Sequence, residues 1–113
     1  MQYMLMIYQD AAFAAMPPDP AQTISAPWMA YTKALVEAGV MVGGSRLAPH
    51  PVATTVRVRD GKRHVQDGPY ADTKEQLAGY YILDTPDLDA ALEWAARCPG
   101  AANGILEVRP LVG

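Results

Sequence analysis

Two segments of the chain, Gln2 to Tyr8 (QYMLMIY) and Ala78 to Asp84 (AGYYILD), are apolar on both alternations of a strand. In the first, Tyr3, Leu5 and Ile7 fall on one side, and Met4, Met6 and Tyr8 on the other. Such strands are normally covered on both faces. Only two stretches of the chain have helical spacing and length. Helices can therefore cover one face of the sheet, and something else must cover the other.

The first helical stretch runs from Ile24 to Ala38, with Ile24, Trp28, Tyr31, Leu35 and Ala38 in one apolar stripe. Thr23 or Ser25 can cap its start, Pro27 is tolerated in a first turn, and Gly39 is placed to end it in a left-handed conformation. The second begins at Thr85-Pro86-Asp87, where Thr85 offers a capping hydroxyl and Asp87 an acid for the positive helix end. Its buried stripe is expected to be Leu88, Ala91, Leu92 and Ala95, and Pro99 and Gly100 end it.

Val40 to Leu47 (VMVGGSRL) reads as a strand that the pair Gly43–Gly44 weakens, which points to a bulge or a close approach by another group. From Val52 the residues alternate through Val56 and Val58, and Asp60-Gly61 signals a two-residue hairpin with one wet face. Ile105 to Arg109 is a last strand, and the proline-rich stretch DAAFAAMPPDPAQ is a loop that has room for a short turn of helix. The order is β-α-β, hairpin, β-α-β, an α+β chain of ferredoxin-like type in one domain, residues 1–113. A second copy is the simplest cover for the remaining face, so a homodimer packed sheet against sheet is expected.

With 113 residues, half of them hydrophobic, the chain can bury a core but leaves apolar surface over. A net charge of −3 argues against general nucleic-acid binding. The lone Cys98 cannot form an intrachain disulfide, and no run approaches membrane-spanning length. A cytoplasmic protein with no membrane contact is the expectation. No strong catalytic, cofactor or metal motif is present, so no cofactor or metal is implied.

Several single residues remain as candidates. His50, between two prolines in LAPHPV, suits either a general base at a strand-end cleft or a rigid surface loop. Arg46 follows the glycine pair on a largely buried strand, so it must reach solvent, a dimer partner or a bound anion. The hairpin gathers Arg57, Arg59, Lys62 and Arg63, either as an anion patch or as charge that keeps a sheet edge soluble. In DGPYADTKEQ (67–76), Asp67-Gly68-Pro69 has turn chemistry, and Asp72 with Glu75 fits a capping box. That leaves Tyr70 and Lys74 without a structural task, and Gly79 as a gap in the next strand with room for something bulky.

DGPYADTKEQLAGYYI, followed by DLDAALEWAARCP and EVRP, resembles the DGPFAETKE type of the YCII-related proteins, with Tyr70 in place of phenylalanine and Asp72 in place of glutamate. The likeness also takes in the N-terminal strand, AGVMVGG and the hairpin, nearly the whole chain. It implies a ferredoxin-like subunit in a dimeric α/β barrel. Some relatives carry a His–Asp pair proposed as catalytic, with the histidine on the first helix; here that helix reads APWMAYTKAL, with Trp28 near the place, so the pair does not carry over. Relatives of this type often occur beside extracytoplasmic-function sigma factors, which implies a regulatory or accessory role.

Two functions follow. One is a dimeric module that binds an anionic small molecule or a sigma-factor-related protein, with Arg46, Tyr70, Lys74, Trp28 and Tyr80 as ligand contacts. The other is a cofactor-free lyase or isomerase, in which Asp67 or His50 moves a proton. The missing helix histidine favours the first.

Overall fold

The computed structural model describes residues 1–10, 26–48, 52–70 and 74–113. The elements in chain order are β1 (Gln2–Asp10), α1 (Ala26–Glu37), β2 (Met41–Arg46), β3 (Thr54–Arg59), β4 (Lys62–Asp67), β5 (Glu75–Asp84), α2 (Leu88–Arg97), α3 (Gly100–Asn103) and β6 (Gly104–Pro110). Thr23, Ile24, Ser25, His50, Asp72 and Thr73, and with them the first-helix caps and the proposed capping box, lie outside the described residues, as does the proline-rich loop.

β2, β5, β1 and β6 form one antiparallel sheet in that order, the ferredoxin-like arrangement. On its helix side Tyr3, Leu5 and Ile7 of β1 sit beside Leu83 and Tyr81 of β5 and Val108 and Leu106 of β6. Tyr31 and Leu35 of α1 and Ala91 and Ala95 of α2 close over them. Leu5, Leu35 and Leu83 are fully buried, and each such side chain contributes roughly 1.5–3 kcal/mol of transfer free energy.

α1 stops as its sequence dictates. Gly39 has φ +72°, its amide donates to the Val36 carbonyl, and the Val40 amide donates to that of Leu35, which together satisfy the last carbonyls of the helix. Ala38 falls after the helix end and is exposed, so it does not extend the stripe. At α2 the cap is Asp87, whose carboxylate accepts from the Ala90 amide at 2.9 Å. The Thr85 hydroxyl, expected to cap, donates instead to the Asp87 carbonyl and is buried. The helix meets the sheet through Ala91 and Ala95, which permit close approach, and Leu88 and Leu92 are left exposed. The chain turns again immediately into α3, a single turn the sequence did not announce.

The glycine pair behaves as expected. The register of β2 on β5 shifts between Met41 and Gly43, and a carbon added at Gly44 would lie 2.8 Å from the Tyr80 carbonyl oxygen. Gly79 differs from expectation: what occupies its missing side chain is the β2 backbone at Ser45, not a ligand.

β3 and β4 pair with each other as a separate two-stranded sheet, turned at Asp60 (φ 54°) and Gly61 (φ 74°). Both central residues have positive φ, as a type I′ turn needs. The expectation of one wet face fails. Val56, Val58 and Val65 are 57–58% exposed, because the hairpin stands apart from the four-stranded sheet.

Candidate functional site

The other face of the large sheet presents Met4, Met6 and Tyr8 on β1, in register with Ile82, Tyr80 and Leu77 on β5 and with Arg109, Glu107 and Ile105 on β6. No described helix packs there. Arg109 and Glu107 pair with each other at 2.8 Å, so the charge on this face is self-compensated at the β6 edge. What remains is an apolar stripe across β1 and β5.

At the β2 end of the sheet the chain forms an open-sided cavity of about 340 Å³. Its lining is aliphatic: Leu47 and Ala48 after β2, Val52, Ala53 and Pro69 at the foot of the hairpin, and Leu77 on β5. Local hydrogen bonds hold these pieces. The Leu47 amide donates to the Ala78 carbonyl at 2.9 Å, so β2 stays on β5 up to the cavity wall. The Gly68 amide donates to the Ala53 carbonyl and the Thr55 hydroxyl to the Gly68 carbonyl, both at 2.7 Å, which locks the hairpin foot. Sequence reasoning missed all six lining residues. They carry no reactive group, and the one signal for them is that the proline-rich segment LAPHPV begins and ends on apolar residues, Leu47 and Val52.

None of the candidates lines this cavity among the described residues. Arg46 directly precedes Leu47, but it is exposed on a β2 that is itself mostly exposed rather than buried, and register sets it opposite Gly79, in line with Ile7 on the helix side; Lys74 is exposed and opens the run into Leu77. Tyr80 lies on the same sheet face as Leu77, opposite Ser45 and Met6. Asp67 ends β4 opposite Thr54, and among the described residues no hydrogen bond or ion pair joins it to Arg46 or Lys74. Tyr70 is 81% exposed, with the Arg57 guanidinium 5.5 Å from its ring centroid. Trp28 is on the opposite side of the sheet, where its ring and Ile7 crowd Gly100. His50 lies outside the described residues.

The strongest titration effects are on the helix side too. Burial pushes the Tyr31 hydroxyl well above its ordinary range, and its proton is held by the Trp94 carbonyl at 2.7 Å. Burial likewise raises Tyr81, whose hydroxyl meets Thr32 at 2.8 Å, and Cys98. Tyr31 packs edge-on against both Tyr81 and Trp94, and Arg97 covers the Trp94 ring at 4.3 Å. This is a cross-linked core, and Cys98 in it is a protonated packing residue rather than a nucleophile.

Among the described residues there is no cluster of three metal-ligating side chains and no helix long and apolar enough to cross a membrane. The comparison with known proteins adds two findings. The family model described as the YCII-related domain matches residues 1–113. An uncharacterised protein of Rhizobium meliloti (strain 1021), R00369, is 37% identical over 114 residues, covering 98% of this chain and 92% of that protein.

Proposed function

Because the chain belongs to the YCII-related family, we propose that it acts as a dimeric binding module for a small anionic molecule with an aliphatic part, in the service of sigma-factor regulation in the cytoplasm. The aliphatic cavity of about 340 Å³ at the open end of the sheet carries this reading. Its size falls at the lower end of small-molecule sites, and such sites combine apolar walls with a few orienting polar groups. Arg46 and Lys74, adjoining two of its walls in the chain, are the cations for a carboxylate or phosphate. Tyr80 adds an aromatic edge on the same face. The apolar stripe of Met4, Met6, Tyr8, Tyr80 and Ile82 is the surface for the second copy, packed sheet to sheet as a dimeric barrel.

The second reading is a cofactor-free lyase or isomerase with Asp67 or His50 as its proton-transfer group. It ranks lower because Asp67 is not paired with either cation among the described residues. Thermal-shift titration against aliphatic carboxylates and organic phosphates tests the binding reading. Saturable stabilisation that Arg46→Ala and Lys74→Ala both weaken supports it. No stabilisation by any probe, from a protein that also fails to bind a purified sigma factor, sinks it.

A further inference from the structure

We propose that the outer edge of β3 is a docking strand for an extended segment of another protein, one that alternates acidic and apolar residues. The hairpin pairs with no other described strand, so the edge of β3 turned away from β4 is open. Arg59 pairs with Lys62 across the two-residue turn, which makes Arg59, Arg57 and Thr55 the positions hydrogen-bonded to β4. The same alternation continues to the foot, where the Ala53 carbonyl accepts from the Gly68 amide. The amides and carbonyls of Thr54, Val56 and Val58 therefore point outward, where a third strand would lie. The two side-chain faces of this edge differ in character. Arg57 and Arg59 project on one face, with His64 and Lys62 opposite them on β4. Val56 and Val58 project on the other, with Val65 and Arg63 opposite. All of these side chains are exposed.

Charge selects the occupant. The hairpin holds four of the nine basic residues and two of the twelve acidic ones, Asp60 in the turn and Asp67 on the valine face. No carboxylate of the ribbon therefore shares the face of Arg57 and Arg59, and among the described residues no ion pair reaches any of the four cations. Arg59 donates to the Val58 carbonyl at 2.9 Å, which holds its guanidinium at the open edge. An antiparallel second copy of this edge would set arginine against arginine, and like charges directly opposite on neighbouring strands repel. A nucleic-acid duplex is disfavoured by the body. Outside the hairpin the chain has five bases against ten acids, and a polyanion longer than the ribbon would run over them. A short acidic strand meets the ribbon alone. Its alternate side chains are roughly 7 Å apart, the same repeat as Arg57 and Arg59, so carboxylates come opposite guanidinium groups. The residues between them then lie beside Val56 and Val58 and are apolar. Main-chain bonds give such a contact affinity, and the alternation gives it specificity. A third strand is also what a two-stranded ribbon lacks for independent stability. The contact uses neither the cavity nor the sheet face of Met4 and Met6, so it does not depend on the ligand reading above.

The test is a titration of the nitrogen-15-labelled protein with three short capped peptides, read from its amide NMR spectrum. The first alternates glutamate and valine. The second has the same composition, with its glutamates and valines in two blocks, and the third alternates lysine and valine. The alternating acidic peptide should bind saturably, shift the amides of Thr54–Arg59 and slow hydrogen exchange at Val56 and Val58. The block peptide should bind at least about tenfold more weakly, and the lysine peptide should not bind. Arg57→Gln/Arg59→Gln should weaken the alternating peptide at least about tenfold, with contacts between Val56 and Val65 showing that the ribbon still forms. Equal binding of the two acidic peptides to wild type would mean charge attraction without an added strand, and it overturns the inference. So do binding of the lysine peptide as tight as that of the acidic one, shifts centred on Leu47 and Leu77 instead of β3, and the absence of binding by any peptide. A short DNA duplex that displaces the alternating peptide and binds β3 more tightly would make the occupant a nucleic acid and overturn it as well.

Discussion

A side-chain carbon built on Gly79 of β5 would lie 2.8 Å from the carbonyl oxygen of Ser45 on β2. The same distance separates a carbon on Gly44 from the Tyr80 carbonyl. The two glycines let the edge strand β2 lie against β5 at the end where the cavity forms, so the site depends on backbone contact that no other residue allows. Gly79→Ala should lower stability by roughly 1–3 kcal/mol, the usual cost of overpacking. At Gly43 an added carbon meets nothing within 4 Å, so Gly43→Ala should stay within about 0.5 kcal/mol of wild type. Urea unfolding of the pair checks this, and coincident midpoints would contradict it.

The cap of α2 gives a second expectation. Asp87, not Thr85, accepts the free amide of Ala90. Asp87→Ala should cost about 1 kcal/mol, and Asp87→Asn, which keeps an acceptor in place, a few tenths at most. Thermal melts of the two variants decide it: an asparagine variant as unstable as the alanine one would mean that the hydrogen bond is not what the side chain contributes.

The architecture was readable from the sequence because its signals are local and periodic. Two-sided apolar strands, Gly39 after a helical stripe and Asp60-Gly61 between alternating runs each demand one kind of structure. The failures share one cause, which is that neighbours decide exposure. Leu88 and Leu92 have the right spacing for a buried stripe, yet the alanines beside them make the contact with the sheet. Val56 and Val58 alternate like a half-buried strand, but among the described residues no further strand joins the hairpin's two-stranded sheet. Gly79 looks like space for a ligand, and β2 fills it. The candidate site was the least legible part. Charged and aromatic residues draw the eye, whereas the cavity is built from Leu47, Ala48, Val52, Ala53, Pro69 and Leu77. Trp28, chosen for its ring, is core packing between α1 and α3.

The buried hydroxyl and thiol on the helix side predict how the fold fails in alkali. Burial raises Cys98 above its ordinary 9.0 and Tyr31 above 10.0. In each case the folded state holds a proton that the unfolded chain releases, so the folded state binds more protons once pH passes the unfolded value. Stability therefore falls as pH rises. The contribution is complete below the ordinary thiol value of 9.0 and is lost progressively above it, with the Tyr31 share going from about pH 10 upward. Tyr31→Phe should flatten the upper part of that decline. At neutral pH it should cost about 1 kcal/mol for the hydrogen bond to the Trp94 carbonyl. Urea midpoints measured from pH 7 to pH 11 test both, and a wild-type curve level across that range would contradict the assignment.

The cavity predicts a separation of binding from stability. Ala53 lines it at the hairpin foot and is half-buried, with its carbonyl held by Gly68. Ala53→Phe directs a ring into the space without removing a core residue, so the empty protein should unfold within about 1 kcal/mol of wild type. A ligand that binds the folded state alone stabilises by about 2.7 kcal/mol at one hundred times its dissociation constant. With octanoate as the probe, wild type should show that concentration-dependent rise and Ala53→Phe should lose it. Arg46→Ala should leave the cavity intact but remove one cation for the carboxylate, so its rise should require at least tenfold more octanoate. Octanol, which has the chain without the charge, should respond equally in wild type and in Arg46→Ala. If Ala53→Phe is stabilised as strongly as wild type, the probe binds elsewhere and the aliphatic cavity is not the site.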